Sequence, residues 1–429
     1  MSNTNKIVNN IPDDWKFLKN KYIFEKRKEK VNENYRNFQL LSLTTKGVRK
    51  KDIETTGGKL PESFNTYQRV YKKDLILCLF DLDVSAVFSG LSNFDGMITS
   101  AYDVFKVKKG FNEEFFKYLF DLYKYDRYYI QYSKSLRKTI NTENFLSIAT
   151  LVPPFQTQQK IANLLAKMIS RIDKIIEETN TSIEELKRYK QSLITEVVKK
   201  GLDKNVEMKD SGIKIIGDIK KSYKIIPLKY IGSFQNGISK PSDYFGEGDP
   251  FISYGDVYNN RALPKNVTGL AKSSKQDQIQ YSVEEGDIFF TRTSETLEEI
   301  AFSSICFKTI PKAVFSGFVI RFRPYKLENI NLMFLSYYLE SEYIRHYFAR
   351  EMNIVTRASL SQSLLGSLPI IQPSIEEQQE IVDYIHPKIK NIDSLIRDKN
   401  EIIKEYESYK KSLIYEYVTG KKEVGEEVE

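Results

Sequence analysis

The sequence is poor in the residues that most catalytic and metal sites use. It has 2 cysteines, Cys78 and Cys306, and 2 histidines, His346 and His386, and none of them lies at ligand spacing from another. We therefore expect no disulfide and no zinc site. We also find no P-loop, no glycine-rich dinucleotide motif, no Asn/Asp-Pro-Pro-Tyr/Phe motif of base methylation, no HExxH and no GxSxG. The chain is therefore predicted to be non-catalytic and to bind no cofactor or metal itself.

Long apolar runs are also absent. The segment Leu75–Phe80 is typical of the longest runs and is far too short to span a membrane. Residues 1–10 lack the apolar stretch of a signal peptide, so we predict a cytoplasmic protein. Hydrophobic residues make up 41% of the 429 positions, which is enough to bury more than one core.

One segment occurs twice, and the two copies organise the rest of the chain. The copies cover residues 153–198 and 373–418 at a constant offset of 220 without a gap, and they agree at 18 of 46 positions. Each copy contains Gln-Gln-x-Ile near its start, an Ile-Asp pair, and Tyr-Lys-x-Ser-Leu-Ile near its end. A chance match of this length is improbable, so we treat the two copies as an internal repeat.

Apolar residues in both copies recur at steps of three and four, which is typical of a long helix that pairs through a narrow apolar seam. One extra residue near Thr179 is a stutter in this pattern, and His386–Pro387 predicts a bend or an early helix end in the second copy. Because each helix must lead back to its own globular domain, we predict that the two pack as an antiparallel coiled coil. The predicted seam residues are Leu165, Met168, Ile172, Ile175, Ile183, Leu186, Leu193, Val197, Ile385, Ile392, Leu395, Ile403, Tyr406, Leu413 and Tyr417.

The segments before the two helices repeat each other more loosely. Each contains strand-like runs separated by glycines and then an aromatic helix, and Asp287 aligns with Asp74. The predicted fold is therefore α+β, a tandem duplication of a globular mixed α/β domain followed by a long helix. The predicted limits are 1–150 and 203–368 for the globular domains, 151–202 and 369–420 for the helical spacers, and 421–429 for an acidic tail that we expect to be disordered.

The net charge of +8 comes mainly from residues 1–150, where several lysines and arginines cluster. Such clusters favour a polyanionic partner, although a mild positive excess is equally typical of an ordinary solvated surface.

The paired motifs and their order resemble the specificity subunit of type I restriction-modification enzymes. That resemblance covers essentially the whole chain and implies a DNA-binding protein with two target-recognition domains. Each would read one half of a bipartite, asymmetric site in double-stranded DNA, and the helix pair would fix the gap between the halves. It also implies docking of two adenine-N6 methyltransferase subunits that bind S-adenosylmethionine, and of motor-nuclease restriction subunits that use ATP and Mg²⁺.

Under this hypothesis the candidate DNA contacts are basic and hydroxyl side chains in both domains, because Lys and Arg bind phosphates and Arg and Thr also read base edges. In the first domain they are Lys46, Arg49, Lys50, Lys51 and Lys59, and in the second they are Arg261, Lys265, Lys272, Lys275, Arg292 and Thr293. For partner docking we favour helix faces outside the seam, including Tyr189, Tyr409 and Tyr415.

Two other classes of function stay open on the sequence. One is a non-catalytic coiled-coil scaffold with two protein-binding heads, which salt-insensitive, weak DNA binding would favour. The other is a nuclease with an unrecognised site, which the lack of an acidic-lysine cluster argues against.

Overall fold

The structure is a computed structural model that describes residues 11–52, 64–85, 87–203, 205–294, 300–351 and 358–425. It divides into two compact units, of which the first is discontinuous in sequence and the second is one continuous stretch. The first unit comprises Met1–Thr179 and Asn400–Glu429, and the second comprises Asn180–Lys399. Each unit therefore contains part of both long helices. The predicted domain limits stay predictions.

The first unit is a mixed α/β domain joined to helix segments. Its strands are Lys16–Lys19, Phe24–Lys26, Leu41–Thr44, Gly47–Lys50, Gln68–Val70, Leu75–Leu77, Ser89–Leu91, Gly96–Ile98, Asp103–Val107 and Ala149–Val152. Its shorter helices are Asn20–Ile23, Glu113–Tyr125 and Thr142–Ser147, with 3-10 turns at Asn32–Asn37 and Tyr128–Tyr132.

A four-stranded antiparallel sheet forms the centre of this unit, in the order Phe24–Lys26, Asp103–Val107, Leu75–Leu77, Ser89–Leu91. Helix Glu113–Tyr125 packs on the sheet with phenylalanines and tyrosines, as its aromatic sequence predicts. Phe24 stands among four other rings at centroid distances of 5.1 to 6.2 Å. Tilted and edge-on ring pairs of this kind add to the stabilisation that comes from apolar burial.

The second unit has the same central arrangement. Its strands are Met208–Asp210, Asp218–Lys220, Lys224–Pro227, Gly232–Asn236, Phe245–Ile252, Leu270–Ala271, Ile288–Thr291, Thr293–Ser294, Ser303–Ile305, Val314–Phe315, Val319–Pro324, Ala358–Ser359 and Pro369–Gln372. Its shorter helices are Tyr254–Tyr258, Lys275–Gln280, Leu332–Glu340, Glu342–Glu351 and Gln362–Gly366, with 3-10 turns at Leu228–Tyr230 and Ser242–Tyr244. The four-stranded sheet runs Gly232–Asn236, Val319–Pro324, Ile288–Thr291, Ser303–Ile305.

Asp74 and Asp287, which the sequence aligns, have the same role in the two sheets. Each is buried immediately before a central strand and accepts the backbone N–H of the residue three positions earlier. Arg27 pairs with Asp74 at 3.0 Å, and Arg323 pairs with Asp287 at 2.6 Å. Burial raises the pKa of both carboxyl groups, and the arginine in each case opposes that rise. The duplication therefore extends to the polar interior of the globular domains.

The two predicted long helices are present, as Phe155–Lys200 and Ile375–Val418, here called the first and second long helix. The early helix end that we considered at His386–Pro387 is absent, because Pro387 lies inside the second long helix. The alternative, a bend, stays a prediction. Proline removes one backbone donor, but Pro387 is on an exposed face where water can bind the carbonyl left without that donor. None of the helices in the described part of the chain has the length and apolar character that crossing a membrane requires.

Segments of both long helices share one core within each unit. In the first unit Leu165 and Ile172 belong to the same apolar cluster as Leu413 and Tyr417. In the second unit Leu193 and Val197 of the first long helix share a cluster with residues of the second long helix near Ile385.

The direction of pairing is clearest in the second unit. Lys190 donates to Asp393 at 2.7 Å, and Gly201, further along the chain, lies beside Glu377, which comes earlier. The helices therefore run antiparallel, as predicted.

Two ion pairs link the repeats, one in each unit. Lys410 donates to Asp173 at 2.6 Å in the first unit, and Lys190 donates to Asp393 at 2.7 Å in the second. The offset of 220 makes Asp173 equivalent to Asp393 and Lys190 equivalent to Lys410. Each unit therefore contains the same pair, with the aspartate and lysine contributed by opposite repeats.

Most predicted seam residues are apolar side chains that the structure buries at least in part. The buried ones are Leu165, Ile172, Ile183, Leu193, Val197, Ile385, Ile392, Leu413 and Tyr417, and the half-buried ones are Met168, Ile175, Leu186, Ile403 and Tyr406. Leu395 departs from the prediction because 40% of it is exposed. After Ile392 the helical period places the next inward position at Ile396, which is half-buried.

The first glutamine of each Gln-Gln motif is buried and joins three segments of its unit. Gln158 accepts the backbone N–H of Asn112 at 2.8 Å and donates to the Pro153 carbonyl at 2.8 Å. Gln378 makes the same two contacts with Asn331 and Pro373, at 2.9 and 3.0 Å. Because Asn112 and Asn331 cap the aromatic helices, each glutamine connects a long helix to the globular domain of its unit.

We expect Gln158→Ala to lower the free energy of unfolding by about 2 to 4 kcal/mol, because it leaves a buried donor and a buried acceptor without partners. Gln159→Ala is the matched control, since the Gln159 side chain is exposed, and it should change stability by less than about 0.5 kcal/mol. Urea denaturation followed by circular dichroism measures both. Equal effects of the two substitutions would contradict the role given to Gln158.

Candidate nucleic-acid interface

A basic hairpin packs on the central sheet of the first unit through its apolar face. Strand Leu41–Thr44 pairs with strand Gly47–Lys50 in antiparallel register, and Gly47 has φ +87°, a backbone conformation that favours glycine in a tight turn. Leu41, Leu43 and Val48 alternate along the hairpin and are buried on one face. The side chains between them must therefore point away from the core.

Three of the predicted DNA contacts lie on this hairpin. Lys46 at the turn, Arg49 and Lys50 are all exposed, and among the described residues no ion pair is formed by any of them. The Lys50 ammonium lies 5.0 Å from the centre of the Phe94 ring. Lys51 is half-buried at the end of the hairpin, and Lys59 lies outside the described residues. The hairpin, defined here as residues 41–50, thus carries three exposed cations, with Arg49 on the outward face and Lys50 opposite Leu41 on the face that also carries Val48.

The predicted contacts of the second unit are more dispersed. Lys265 and Lys275 are exposed, and Lys275 begins the short helix Lys275–Gln280. Lys272 is also exposed but pairs with Glu247 at 2.6 Å, and each of the two side chains shifts the pKa of the other in the direction that favours its charge. Lys272 is therefore partly neutralised.

Arg292 and Thr293 occupy one strand end. The Arg292 guanidinium donates to the Gly317 carbonyl at 3.3 Å, and its backbone N–H donates to the Phe318 carbonyl at 2.9 Å. Thr293 pairs with Ser359 in a short two-stranded sheet. Phe318 is 63% exposed at the turn beside Arg292. Phe318 is not among the candidates predicted above, although the Ser-Gly-Phe turn between two apolar strands indicates an exposed ring at this position.

Arg261 has a different position from the other predicted contacts. Its guanidinium forms a two-point ion pair with Glu340, with one bond of 2.8 Å, and lies 3.6 Å from Asp393 and 4.9 Å from the centre of the Tyr337 ring. Desolvation lowers the pKa of Arg261, but the neighbouring carboxylates raise that pKa by a larger amount, so the net shift is upward. Lys190 of the first long helix also lies 3.8 Å from Glu340. Arg261 therefore connects the globular domain to both long helices within its unit.

Groups that could perform catalysis or bind metal are scarce in the described ranges. Within them no three His, Cys, Asp or Glu side chains are arranged to hold a metal ion. Cys78 and Cys306 are both free and buried, and burial raises the pKa of both thiols, to about 11 for Cys306. Neither thiol is therefore set up as a nucleophile. His386 shares a hydrogen bond of 2.8 Å with Tyr337.

Comparison with known proteins agrees with these observations. Residues 221–405 match the family model described as the type I restriction modification DNA specificity domain. The MjaVIII type I restriction enzyme specificity subunit of Methanocaldococcus jannaschii is 24% identical over 292 residues, which cover 66% of this chain and 64% of that protein. A putative MjaX specificity subunit from the same organism is 25% identical over 295 residues, covering 66% and 62%. The chain thus aligns with less than two thirds of the length of either relative.

A solved structure on the complex assembly and conformational transition of the type I R-M system contains a chain with a similar fold. The TM-score is 0.64 at 14% sequence identity, and the match covers 95% of this chain and 98% of the other. The family model and the two relatives describe the same class of protein, and the solved structure has a similar fold. This chain is therefore similar in sequence, over residues 221–405, to the type I restriction modification DNA specificity domain, and similar in fold to a chain of a type I R-M system.

Proposed function

We propose that this chain is the DNA sequence-specificity subunit of a type I restriction-modification complex. In this proposal the globular domain of each unit reads one half of a bipartite, asymmetric site in double-stranded DNA, and catalysis belongs to partner subunits. One observation carries the proposal. Both units attach their globular domain to a long helix through the same buried glutamine and join their two helix segments through the same Asp–Lys pair, whereas their exposed polar surfaces differ. Two units with the same internal contacts but different exposed surfaces can bind two different half-sites, as a bipartite, asymmetric target requires.

The hairpin of the first unit supports a role in DNA binding. Lysine and arginine side chains supply most phosphate contacts, and two-stranded ribbons fit the major groove of B-form DNA. Lys46, Arg49 and Lys50 are exposed on such a ribbon. We propose that Lys46 and Lys50 contact phosphates and that Arg49 reaches a base edge, because only the guanidinium can bind guanine through two parallel hydrogen bonds.

In the second unit the proposal rests on a smaller set of residues. Lys265, Lys275, Arg292 and Thr293 remain candidates for contact with phosphates or bases, and exposed Phe318 joins them. An exposed aromatic ring beside an arginine can pack against a thymine methyl group or a sugar. Arg261 is given a positioning role, since its charge is already matched by Glu340 and Asp393.

We further propose that two copies of an adenine-N6 methyltransferase subunit dock on the long helices. Tyr189 and Tyr409 occupy equivalent positions of the repeat and are 56% and 48% exposed. Two equivalent exposed aromatic residues can serve two copies of one partner, and tyrosine is enriched at protein interfaces. In this proposal S-adenosylmethionine binds to the methyltransferase subunits. Motor-nuclease subunits that use ATP and Mg²⁺ join the same complex.

Removing the hairpin cations should weaken binding to the recognised site. We expect Lys46→Ala/Arg49→Ala/Lys50→Ala to reduce the affinity of the assembled complex for its site by about tenfold or more. Each lost phosphate contact should also lower the salt dependence of binding by about 0.9 in log K against log salt. Fluorescence anisotropy with labelled duplexes at several salt concentrations measures both quantities.

The matched control removes the exposed cations Lys16, Lys19 and Lys21 from the same unit, with the same change in charge. Its affinity and salt dependence should stay close to those of the unmodified chain. If both triple variants bind DNA like the unmodified chain, the hairpin is not part of the interface.

We also propose that the length of the long helices sets the number of unread base pairs between the half-sites. Deleting residues 176–182 and 401–407 together removes seven residues from each long helix between its aspartate and its lysine, so that both Asp–Lys pairs can still form. Seven residues correspond to about 10.5 Å of helix, or about three base pairs. The deletion should therefore shorten the unread gap by about three base pairs and leave both half-sites unchanged.

Sequencing of methylated adenines in cells that express the deletion variant gives the recognised site directly. A control variant should keep the full length of both segments and replace only exposed residues within them, such as Glu177→Gln and Glu405→Gln. That control should methylate the original site. An unchanged gap in the deletion variant, or new half-sites, would contradict the helix-length proposal.

A further inference from the structure

The C-terminal part of the first long helix carries a basic groove that the proposed function does not use. The groove lies within the second unit and has a volume of about 730 Å³. Four cations of the helix line it, Lys187, Arg188, Lys199 and Lys200, together with polar side chains between them. We call this surface the basic groove.

Charge in the basic groove is incompletely balanced. Glu196 and Glu342 are the two carboxylates among its lining residues. A fifth cation, Arg345, also lines the groove, but it donates to the carbonyl oxygens of Ile300 and Ala301 at 2.6 and 3.0 Å. Five cations thus face two carboxylates. Desolvation lowers the pKa of Arg345 to about 10, which is still far above neutral pH.

Lys199 and Lys200 are close enough to affect each other. Desolvation lowers the pKa of Lys199, and repulsion from Lys200 lowers it further, while Asp218 acts in the opposite direction. Lys187 pairs with Glu184 at 2.8 Å on its exposed side. Positive charges held together in this way raise the local concentration of anions.

The repeat provides an internal comparison for these positions. At the offset of 220, the residues equivalent to Lys187, Arg188, Lys199 and Lys200 are Glu407, Ser408, Thr419 and Gly420. The second copy forms the helix pair, the hydrogen bonds of the buried glutamine and the Asp–Lys pair without any of the four cations. The shared frame therefore does not require the basic groove. Cations that the fold does not need, gathered in one groove, point to an anionic ligand.

We propose that the basic groove binds the phosphate backbone of DNA next to the half-site that the second unit reads, an inference that rests on the proposed function. A docking surface for two copies of one protein would need equivalent residues in both repeats, and the basic groove occurs in only one. The two cation pairs are eleven residues apart, which is about 16 Å along the helix and matches the axial length of about five base pairs. The groove can therefore contact several phosphates and adds affinity without sequence information.

The test uses the full-length chain assembled with its methyltransferase partner and a labelled duplex that contains the methylated site. We expect Lys187→Gln/Arg188→Gln/Lys199→Gln/Lys200→Gln to weaken binding about tenfold or more. The slope of log K against log salt should fall by about 2 to 4, since each phosphate contact contributes about 0.9. The loss should be equal for an unrelated duplex, so that the preference for the cognate site is unchanged.

The matched control replaces four exposed cations of the second long helix by glutamine, namely Lys388, Lys390, Arg397 and Lys404. It changes the net charge equally and should leave the slope within about 1 of that of the unmodified chain. If the groove variant does not fold, as judged by circular dichroism, Lys187→Glu/Arg188→Ser/Lys199→Thr takes its place, because it copies residues that the second repeat already contains.

Three results would contradict the inference, and they differ in whether the proposed function also fails. An unchanged slope in the groove variant, with a normal preference for the cognate site, refutes the basic groove alone. A normal slope together with loss of the methyltransferase subunit, seen by mass photometry, would assign the groove to an acidic protein surface instead. An unmodified complex that shows no preference between duplexes would refute the proposed function itself.

Discussion

The pairing of two antiparallel helix segments within each unit is the constraint on which the rest of the structure depends. The first unit cannot complete its core from one continuous stretch of chain, and the second brings the two ends of its stretch together. In the first unit Leu413, Ile414 and Val418 fill a cluster that otherwise consists of residues up to Ile172. Burial of such side chains stabilises by roughly 1.5 to 3 kcal/mol each, so the returning helix is an essential part of that core. The Asp–Lys pairs are partly exposed and add much less, and we regard them as markers of register.

Stability of the fold and variation of the exposed surface conflict in most proteins. In the duplicated frame, different residues serve each of these two requirements. Residues that hold a unit together, such as the buried glutamine and the Asp–Arg pair of the central sheet, occur in both copies. Residues on the exposed hairpin of the first unit have no counterpart of the same shape among the described strands of the second. Recognition can therefore change in one unit at little cost in stability, since exposed substitutions away from structural contacts alter stability by less than about 0.5 kcal/mol.

Much of the frame could be predicted from sequence because its signals are local or periodic. The two long helices, their antiparallel pairing and the equivalence of Asp74 with Asp287 all follow from spacing along the chain. An early helix end at Pro387 was wrongly expected, since the effect of a missing donor depends on whether the helix face is exposed. Leu395 was wrongly placed because a coiled-coil period of 3.5 drifts against the 3.6 residues of a straight helical turn.

The candidate interface was much harder to predict, and Arg261 shows why. In the sequence it is one more exposed-looking arginine, like Arg49. Its partners Glu340 and Asp393 lie 79 and 132 positions later, so no local pattern indicates that its charge is already matched. Whether a cation is available to a ligand depends on such distant pairing. The basic groove was missed for a related reason, because its significance appears only when both repeats are compared position by position.

The second long helix completes the core of the first unit but is translated last. This order has a consequence for synthesis of the chain on the ribosome. Leu165 and Ile172 emerge long before residues 413–418, which cover them in the finished core. At about 5 to 20 residues per second, the intervening stretch takes roughly 12 to 50 s to translate. During that time the apolar side chains of the first long helix in the nascent first unit lack the residues that later bury them. A chaperone that binds exposed apolar helices has this interval in which to act.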